Sequence, residues 1–249
     1  HHHHRDYMPD GIASDPIATI VVPVKDEDPL IVKKIIDDTW TLFHGTVSVQ
    51  VVDDGSEVPC PMASLRHPVS EGYGASLKSG IRAATGKWII TMDGDGQHRL
   101  RDVQRLLEFV EDFPECVMVI GDRRLREPTW LRYAGRKFLN SLCSLFAGIW
   151  IKDLNSGLRI FRRDLAIGYE SILCDRFSFT TSITLSMLAD GHRVDWLPIR
   201  VLQRTYGQSH VKPFRDGLIT LKYILWIGCA LRTRKIREWI RPLSRSLLG

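Results

Sequence analysis

The run Met92-Asp93-Gly94-Asp95-Gly96-Gln97-His98 is the part of the chain richest in potential chemistry. It follows Trp88–Met92 (WIITM), an apolar stretch that reads as a strand. Side chains alternate along an extended backbone, so Asp93 and Asp95 are expected on one side. Two carboxylates placed that way suit a hard divalent cation, with Gln97 as a further oxygen donor. Such a cation neutralises a diphosphate. The same residues also make an ordinary polar turn ahead of a helix, and the motif alone leaves both readings open. His98 reads either as a neighbour of that cation or as a polar residue at a helix start.

Two further motifs lie upstream. Val51-Val52-Asp53-Asp54-Gly55-Ser56 ends a second apolar stretch. An acidic pair there suits ribose hydroxyls or a base N–H, and an Asp-Gly turn is the plainer reading. Glu71-Gly72-Tyr73-Gly74-Ala75-Ser76-Leu77-Lys78-Ser79-Gly80 places glycines before a helix, where backbone amides can approach a ligand. Gly80, inside that helix, suits close packing against a sheet.

These motifs need a frame, and the first half supplies one. Ala18–Val24 (ATIVVPV) is a β-branched run typical of a parallel strand covered on both faces. Helix signals follow over Pro29–Phe43, Gly74–Thr85 and Arg101–Phe113, with Gly86 expected just past the second helix. Strand signals cover Val47–Val52, Ser64–His67, Trp88–Met92 and Val117–Ile120. Strands alternating with helices imply an α/β fold, a parallel sheet with helices on both faces. Ligands of such sheets sit at the carboxyl ends of the strands. Lys25 and Glu27, Asp53 and Asp54, Asp93 and Asp95, and Arg123 all fall there. The second half is less regular. Trp130–Trp150 and Phe179–Leu188 read as helices, Gly157–Arg162 as a strand, and Arg193–Leu202 as a strand interrupted by Pro198. Two C-terminal helices are expected after it. At helical spacing Trp130, Tyr133, Phe138, Phe146 and Trp150 read as core, with a lipid groove as the alternative.

Composition narrows the class. With 249 residues, 44% hydrophobic and 25% charged, the chain suits a globular α/β domain and excludes disorder, collagen, coiled coil and a multi-span membrane protein. The formal charge of +5 resides in residues 232–249, which hold six basic groups and one acid. The neutral remainder shows no nucleic-acid footprint. The tail offers a local patch for an anionic surface. Ile236, Trp239, Ile240, Leu243 and Leu247 share one helical face there, and Arg237, Arg241 and Arg245 another. This is the pattern of a helix lying in a membrane interface, interrupted at Pro242; packing on its own domain or on a second copy of the chain is the alternative. The run Leu218–Leu231, with Lys222 inside it, is shorter than the ~20 residues a spanning helix needs. Five scattered cysteines without a CxxC pair suit a reducing compartment and neither a disulfide framework nor a zinc site. His1–His4 read as the end of a purification tag, with residues 1–16 a disordered leader.

Six motifs in order then resemble the inverting family-2 glycosyltransferases. They are Pro23-Val24-Lys25-Asp26-Glu27, Asp53-Asp54-Gly55-Ser56, Gly72-Tyr73-Gly74-Ala75 through Gly86, Asp93–His98, Asp153-Leu154-Asn155-Ser156-Gly157-Leu158-Arg159, and Arg204-Thr205-Tyr206-Gly207-Gln208-Ser209. The last two, with Gly121-Asp122-Arg123, bring the chain nearer to the dolichyl-phosphate mannosyltransferase-like branch, which glycosylates polyprenyl phosphates. The resemblance implies a GT-A (Rossmann-like) fold over residues 17–213 with amphipathic helices over 214–249. It implies a nucleotide pocket at Pro23, Lys25, Glu27, Val52, Asp54, Lys78, Asp93 and Gly94, and Mg²⁺ or Mn²⁺ at Asp95 with Gln97 and Asp93. It implies phosphate contacts from Arg123, Arg159, Arg204 and either His210 or Lys212, with Ser209 beside them. The implied partners are a GDP- or UDP-sugar, a polyprenyl phosphate and the cytoplasmic face of a membrane, with homo-oligomerisation left open.

The chain departs from the family pattern in places. Lys25-Asp26 stands where Tyr-Asn is usual, Gly94 where Ala is common, and His210 where Lys is usual. The stretch from Ser56 to Glu71 is short, so a helix typical of the family is expected to be truncated. Phe177–Met187 contains no Asp or Glu, where an acidic residue is often found. A phosphate monoester has a second pKa of about 6 and is already an anionic nucleophile near neutrality. A hydroxyl acceptor needs a base. The missing acid therefore favours a phosphate acceptor. The rivals are a glycan or protein hydroxyl acceptor, served by Asp175, Asp190 or Asp195, and a non-catalytic nucleotide-sugar sensor docked on a membrane. A processive synthase is disfavoured because Gln203-Arg204-Thr205-Tyr206 lacks the Gln-x-x-Arg-Trp pattern.

Overall fold

The computed structural model describes residues 15–124, 130–147 and 152–202, together with 221, 222 and 225. Arg204, Ser209, His210, Lys212, the leader through residue 14 and the tail helices lie outside the described residues.

Strand β1 (Ala18–Val24) is buried along its length apart from Pro23. Helix α1 (Pro29–Phe43) starts where the Asp28 side chain accepts the Leu30 N–H and Pro29 presets the first turn. It ends on His44 in the left-handed conformation, whose N–H bonds Trp40 O. Strand β2 (Val47–Asp54) is buried at all eight positions, followed by the short β3 (Leu65–His67). Helix α2 (Tyr73–Ala83), β4 (Trp88–Thr91), α3 (Leu100–Asp112) and β5 (Cys116–Asp122) complete the first half. Helix α4 (Trp130–Ala147), β6 (Arg159–Arg162), α5 (Arg163–Gly168), α6 (Phe179–Ala189) and β7 (Arg193–Pro198) make up the second.

The seven strands form one sheet in the order β3-β2-β1-β4-β6-β5-β7. All neighbours pair in parallel except β6, which runs antiparallel to both β4 and β5. The sheet is therefore the mostly parallel one expected. The reversal of β6 has a consequence for the site. Its first residue, Arg159, pairs with Thr91 and Ile120 near the ends of β4 and β5. The Asp153–Leu158 loop thus enters at the same edge where the parallel strands leave.

Strand alternation divides the core between the two faces of the sheet. Ile20, Val22 and Val24 of β1 pack with Val32, Ile35 and Ile36 of α1 and Val103, Leu106 and Val110 of α3. Val21 points the other way, toward Leu77 and Ile81 of α2 and Phe179 and Ile183 of α6. Gly80 is required there, since a Cβ would lie 2.3 Å from Val21 Cγ1.

Several expectations need correction. Gly86 is not a left-handed helix stop. Ala84 ends α2 in an extended conformation, and a Cβ on Gly86 would sit 3.0 Å from the Ala18 backbone, so close strand approach explains that glycine. Strand β2 runs two residues further than expected, through both acids, because β1 and β3 pair with it there. Strand β7 stops at Pro198, where the chain loses an N–H donor. The core reading of the α4 aromatics fails: Trp130 is 80%, Phe138 60% and Tyr133 45% exposed. The Phe146 side chain and residue Trp150 lie outside what is described. Residues 56–64 form turns without a helix, as the shortened segment predicts. Among the described residues no helix is long and apolar enough to cross a membrane.

Candidate functional site

Pro23 lies in β1 opposite Val52 of β2, while β4 pairs no further along β1 than Val21. A proline has no N–H for a second neighbour, so β1 and β4 part there. Into that opening drops the acidic turn. Gly94 packs on β1, where a Cβ would meet Val24 Cγ1 at 2.7 Å. Gly96 has φ +80° and reverses the chain. Because β4 ends at Thr91, Asp93 and Asp95 stand in a turn and not on an extended strand. Strand alternation therefore does not govern them, and their surroundings differ. The Asp93 side chain is 37% exposed, and its Oδ2 lies 3.2 Å from His98 Nε2. Asp95 is buried, and its Oδ1 accepts the Gln97 N–H at 3.0 Å. Gln97 O in turn accepts the Leu202 N–H at 2.7 Å, which ties the segment after β7 to this turn.

The reversed β6 brings the next group. A Cβ on Gly157 would lie 2.7 Å from Asp93 Oδ2, so only glycine lets the Asp93 carboxylate rest on this loop. Arg123, just past β5, grips Asp153 through Nε at 3.0 Å and Nη2 at 3.1 Å. Burial works to raise the Asp153 pKa, but the Arg123 bonds outweigh it and the carboxyl lies below its ordinary value. Tyr73 opens α2 with its ring 5.9 Å from that of Phe177. Burial and the nearby Asp93 keep its phenol protonated.

Arg159 is the largest fully buried side chain among the described residues. Its guanidinium donates to Ser156 O, Leu154 O, Thr180 O and Thr184 Oγ1 at 2.8 to 3.3 Å. Burial draws its pKa down to about 10, so it stays charged at neutral pH. With its donors spent on protein acceptors, Arg159 builds the Asp153–Leu158 loop. The phosphate contact expected of it does not fit this geometry.

The acids of β2 also turn inward. Asp53 accepts from Ser56 N, Cys60 N and Arg66 Nη1 at 2.9 to 3.0 Å. Asp54 is bonded to His67 Nδ1, Ser70 Oγ, Glu71 N and Gly72 N at 2.8 to 3.0 Å. Burial opposes ionisation of both, and the hydrogen bonds prevail, so both carboxyls lie below their ordinary range. These two acids shape the loops that follow β2. Lys25 is exposed and donates to Ser70 Oγ at 3.3 Å, and Glu27 is half-buried near the start of α1.

Two other expected nucleotide contacts fall elsewhere. Val52 is fully buried against α2, its Cγ2 beside Gly80, so its side chain belongs to the core. Lys78 donates to Asp175 at 2.8 Å in a cleft of about 650 Å³ also lined by Arg82 and Glu170. None of the strand-end acids lines that cleft. Sequence reasoning in turn missed His67, which links Asp54 to Ser79 Oγ at 2.9 Å. It also assigned no role to Asp153, although its motif was visible.

Residues 19–169 match the model of glycosyl transferase family 2. The chain belongs to that family. The glycosyltransferase is 30% identical over 210 residues to the uncharacterized protein MJ1222 of Methanocaldococcus jannaschii, a match covering 76% of this chain and 83% of that one. It is 26% identical over 183 residues to an undecaprenyl-phosphate mannosyltransferase of Micrococcus luteus, covering 70% and 74% respectively. Its fold is similar to that of glucosyl-3-phosphoglycerate synthase from Mycobacterium tuberculosis, solved with Mn²⁺, UDP and phosphoglyceric acid. The TM-score is 0.64 at 17% identity, with 86% of this chain and 78% of that one covered. The GT-A arrangement expected of the glycosyltransferase is thus the one observed.

Proposed function

We propose that this glycosyltransferase moves a sugar from a GDP- or UDP-sugar to a polyprenyl phosphate at the cytoplasmic face of a membrane, with inversion. The observation that carries the acceptor is α6, which runs from Phe179 to Ala189 without one carboxylate. A hydroxyl acceptor needs a base, whereas a phosphate monoester is already an anionic nucleophile near neutral pH. Its oxygen attacks the anomeric carbon, the bond from that carbon to the diphosphate breaks, and the nucleoside diphosphate leaves. The protein's work is to position the reactants and stabilise charge. The undecaprenyl-phosphate mannosyltransferase among its relatives supports the same acceptor.

The turn after β4 offers hard oxygen donors, Asp95 with Gln97 and Asp93, beside the His98 ring. Among the described residues no cluster of three or more His, Cys, Asp or Glu side chains forms a complete cage. A small oxygen set fits Mg²⁺ or Mn²⁺, ions that fill their shells from substrate phosphates and water. When bound, such an ion neutralises charge on the leaving diphosphate. The Mn²⁺ and UDP held by the M. tuberculosis enzyme support this assignment. Arg123, fixed by Asp153 at the same edge, is the cation assigned to a phosphate, joined by Arg204 and by His210 or Lys212 near Ser209. The basic amphipathic tail is assigned to the membrane surface.

A second reading has one observation in its favour. The M. tuberculosis enzyme was solved with phosphoglyceric acid, so a small phosphorylated acid is the rival acceptor. A side-by-side assay decides between them. Radiolabelled UDP- and GDP-sugars are supplied with Mn²⁺ and either undecaprenyl phosphate or 3-phosphoglycerate. Label extracted into organic solvent only with the lipid phosphate is the expected result. Label on phosphoglycerate alone sinks the lipid reading.

A further inference from the structure

We propose that Asp102 is a positioning residue for sugar transfer: it clamps residues 199–202, which follow β7, across the acidic turn and so holds Gln97 for the divalent ion. This role rests on the ion site at Asp95 and Gln97 proposed above, while the clamp itself is a matter of geometry. Asp102 stands in the first turn of α3 and is fully buried. An acid at that point of a helix ordinarily caps it or offsets its dipole. Here the N-cap residue, Arg99, makes no side-chain cap bond, and both Asp102 oxygens face other partners. Arg99 donates to them through Nε and Nη2, Arg105 through Nη1 and Arg200 through its backbone N–H, at 3.0 to 3.3 Å. Arg99 follows Gln97 by two residues and has the charge to meet a diphosphate, yet two of its nitrogens are turned to Asp102.

From Asp102 the bonds lead step by step to the turn. Arg105 Nη1 also donates to Pro198 O at 2.8 Å. The Ile199 N–H donates to Asp122 O at 2.9 Å, and the Ile199 side chain is buried against Gly121 at the end of β5. The Arg200 N–H goes to Asp102. Two residues on, the Leu202 N–H donates to Gln97 O at 2.7 Å. The Gln97 N–H is itself bonded to Asp95 Oδ1 at 3.0 Å. Gln97 is therefore held at its N–H by Asp95 and at its carbonyl by the segment that Asp102 fastens. Gly96 precedes it at φ +80°, a backbone with freedom that such a tie removes.

Groups that orient a metal ligand without touching the metal typically matter about 10- to 100-fold in metal affinity or activity. A misplacement of about 1 Å from a change far from the chemistry can cost about 10²-fold in rate. Asp102 has the place of such a group.

The test pairs calorimetry with hydrogen exchange on the full chain. UDP and GDP are titrated with and without Mn²⁺ into the parent chain, Asp102→Asn and Asp95→Asn. Asp102→Asn is expected to lose about 10- to 100-fold in nucleotide affinity with Mn²⁺ present and to keep the metal-free affinity. Leu202→Pro is the second variant should Asp102→Asn fold poorly. Residue 202 is 39% exposed, and proline there removes the N–H that reaches Gln97 O, so the same loss is expected. With no ligand present, the amides of 92–98 and 199–202 should exchange about tenfold faster in either variant, while those of β2 and α2 keep the parent rates. Equal losses of affinity with and without the ion, or faster exchange throughout, mark a merely structural residue and overturn the proposal. An Mn²⁺ gain retained in either variant while Asp95→Asn loses it overturns the clamp and leaves the ion assignment standing. A parent chain without an Mn²⁺ gain, or an Asp95→Asn that retains it, overturns the ion assignment and the positioning role together.

Discussion

Two acidic pairs stand at the same sheet edge, and their surroundings differ. Asp53 and Asp54 end β2 with their carboxylates bonded to three and four protein partners. Asp93 and Asp95 follow β4 in a turn shaped by Gly94 and Gly96, with the Asp93 side chain 37% exposed. Residue type and sheet edge are shared, though Asp53 and Asp54 are strand residues and Asp93 and Asp95 follow their strand. The difference lies in what builds the neighbouring loop. After β2 the carboxylates themselves hold it, through Ser56, Cys60, Arg66, His67, Ser70, Glu71 and Gly72. After β4 the glycines fold it against β1 and Gly157, with Asp93 beside His98 and Asp95 accepting the Gln97 N–H. An acid that builds structure should cost stability when removed, and one that serves a ligand should cost activity.

The largest effect expected is on Asp95. Asp95→Asn should lower sugar transfer by about 10²- to 10³-fold with the melting temperature nearly unchanged, as when one electrostatic stabiliser of a leaving group is removed. Asp54→Ala should instead destabilise the fold by about 3 kcal/mol in urea unfolding, since four donors lose their acceptor. Equal stability losses for the two variants would erase the distinction. Gly80→Ala tests the packing beneath both loops. The clash with Val21 should cost about 1–3 kcal/mol, measured the same way. The smallest effect is on pH dependence. The folded-state pKa values of Asp53, Asp54 and Asp153 lie below their ordinary value of 3.8. Their contribution to stability is therefore complete above that value and is lost as pH falls below it. Melting temperature followed from pH 7 downward should drop below about pH 4, less steeply in Asp153→Asn.

Much of this frame was legible in the residues. The β-branched run of β1 and the helix signal after it gave boundaries at Ala18–Val24 and Pro29–Phe43 that the structure reproduces. Because strands and helices alternate, the motifs after β1, β2, β4 and β5 could be assigned to one edge. What was not legible depends on direction and partners. Nothing local in Arg159–Arg162 tells that β6 runs backwards, yet that reversal brings Gly157 against Asp93 and Asp153 to Arg123. Arg159 reads as a phosphate ligand until its acceptors on α6 and in its own loop are seen. Val52 and Lys78 lie near motif residues in sequence, but the strand pleat and the helix face turn them into the core and the α2 cleft. The α4 aromatics have the helical spacing of a core stripe, and spacing cannot say whether anything covers them.

The contrast between the two pairs is most directly tested by titrating UDP and GDP, each with and without Mn²⁺, into the parent chain and Asp95→Asn by calorimetry. The parent chain should bind one of the two nucleotides, and Mn²⁺ should tighten that binding. Asp95→Asn should lose the gain from Mn²⁺ while melting at the parent temperature. Full Mn²⁺-dependent affinity in Asp95→Asn would contradict the role given to the turn after β4.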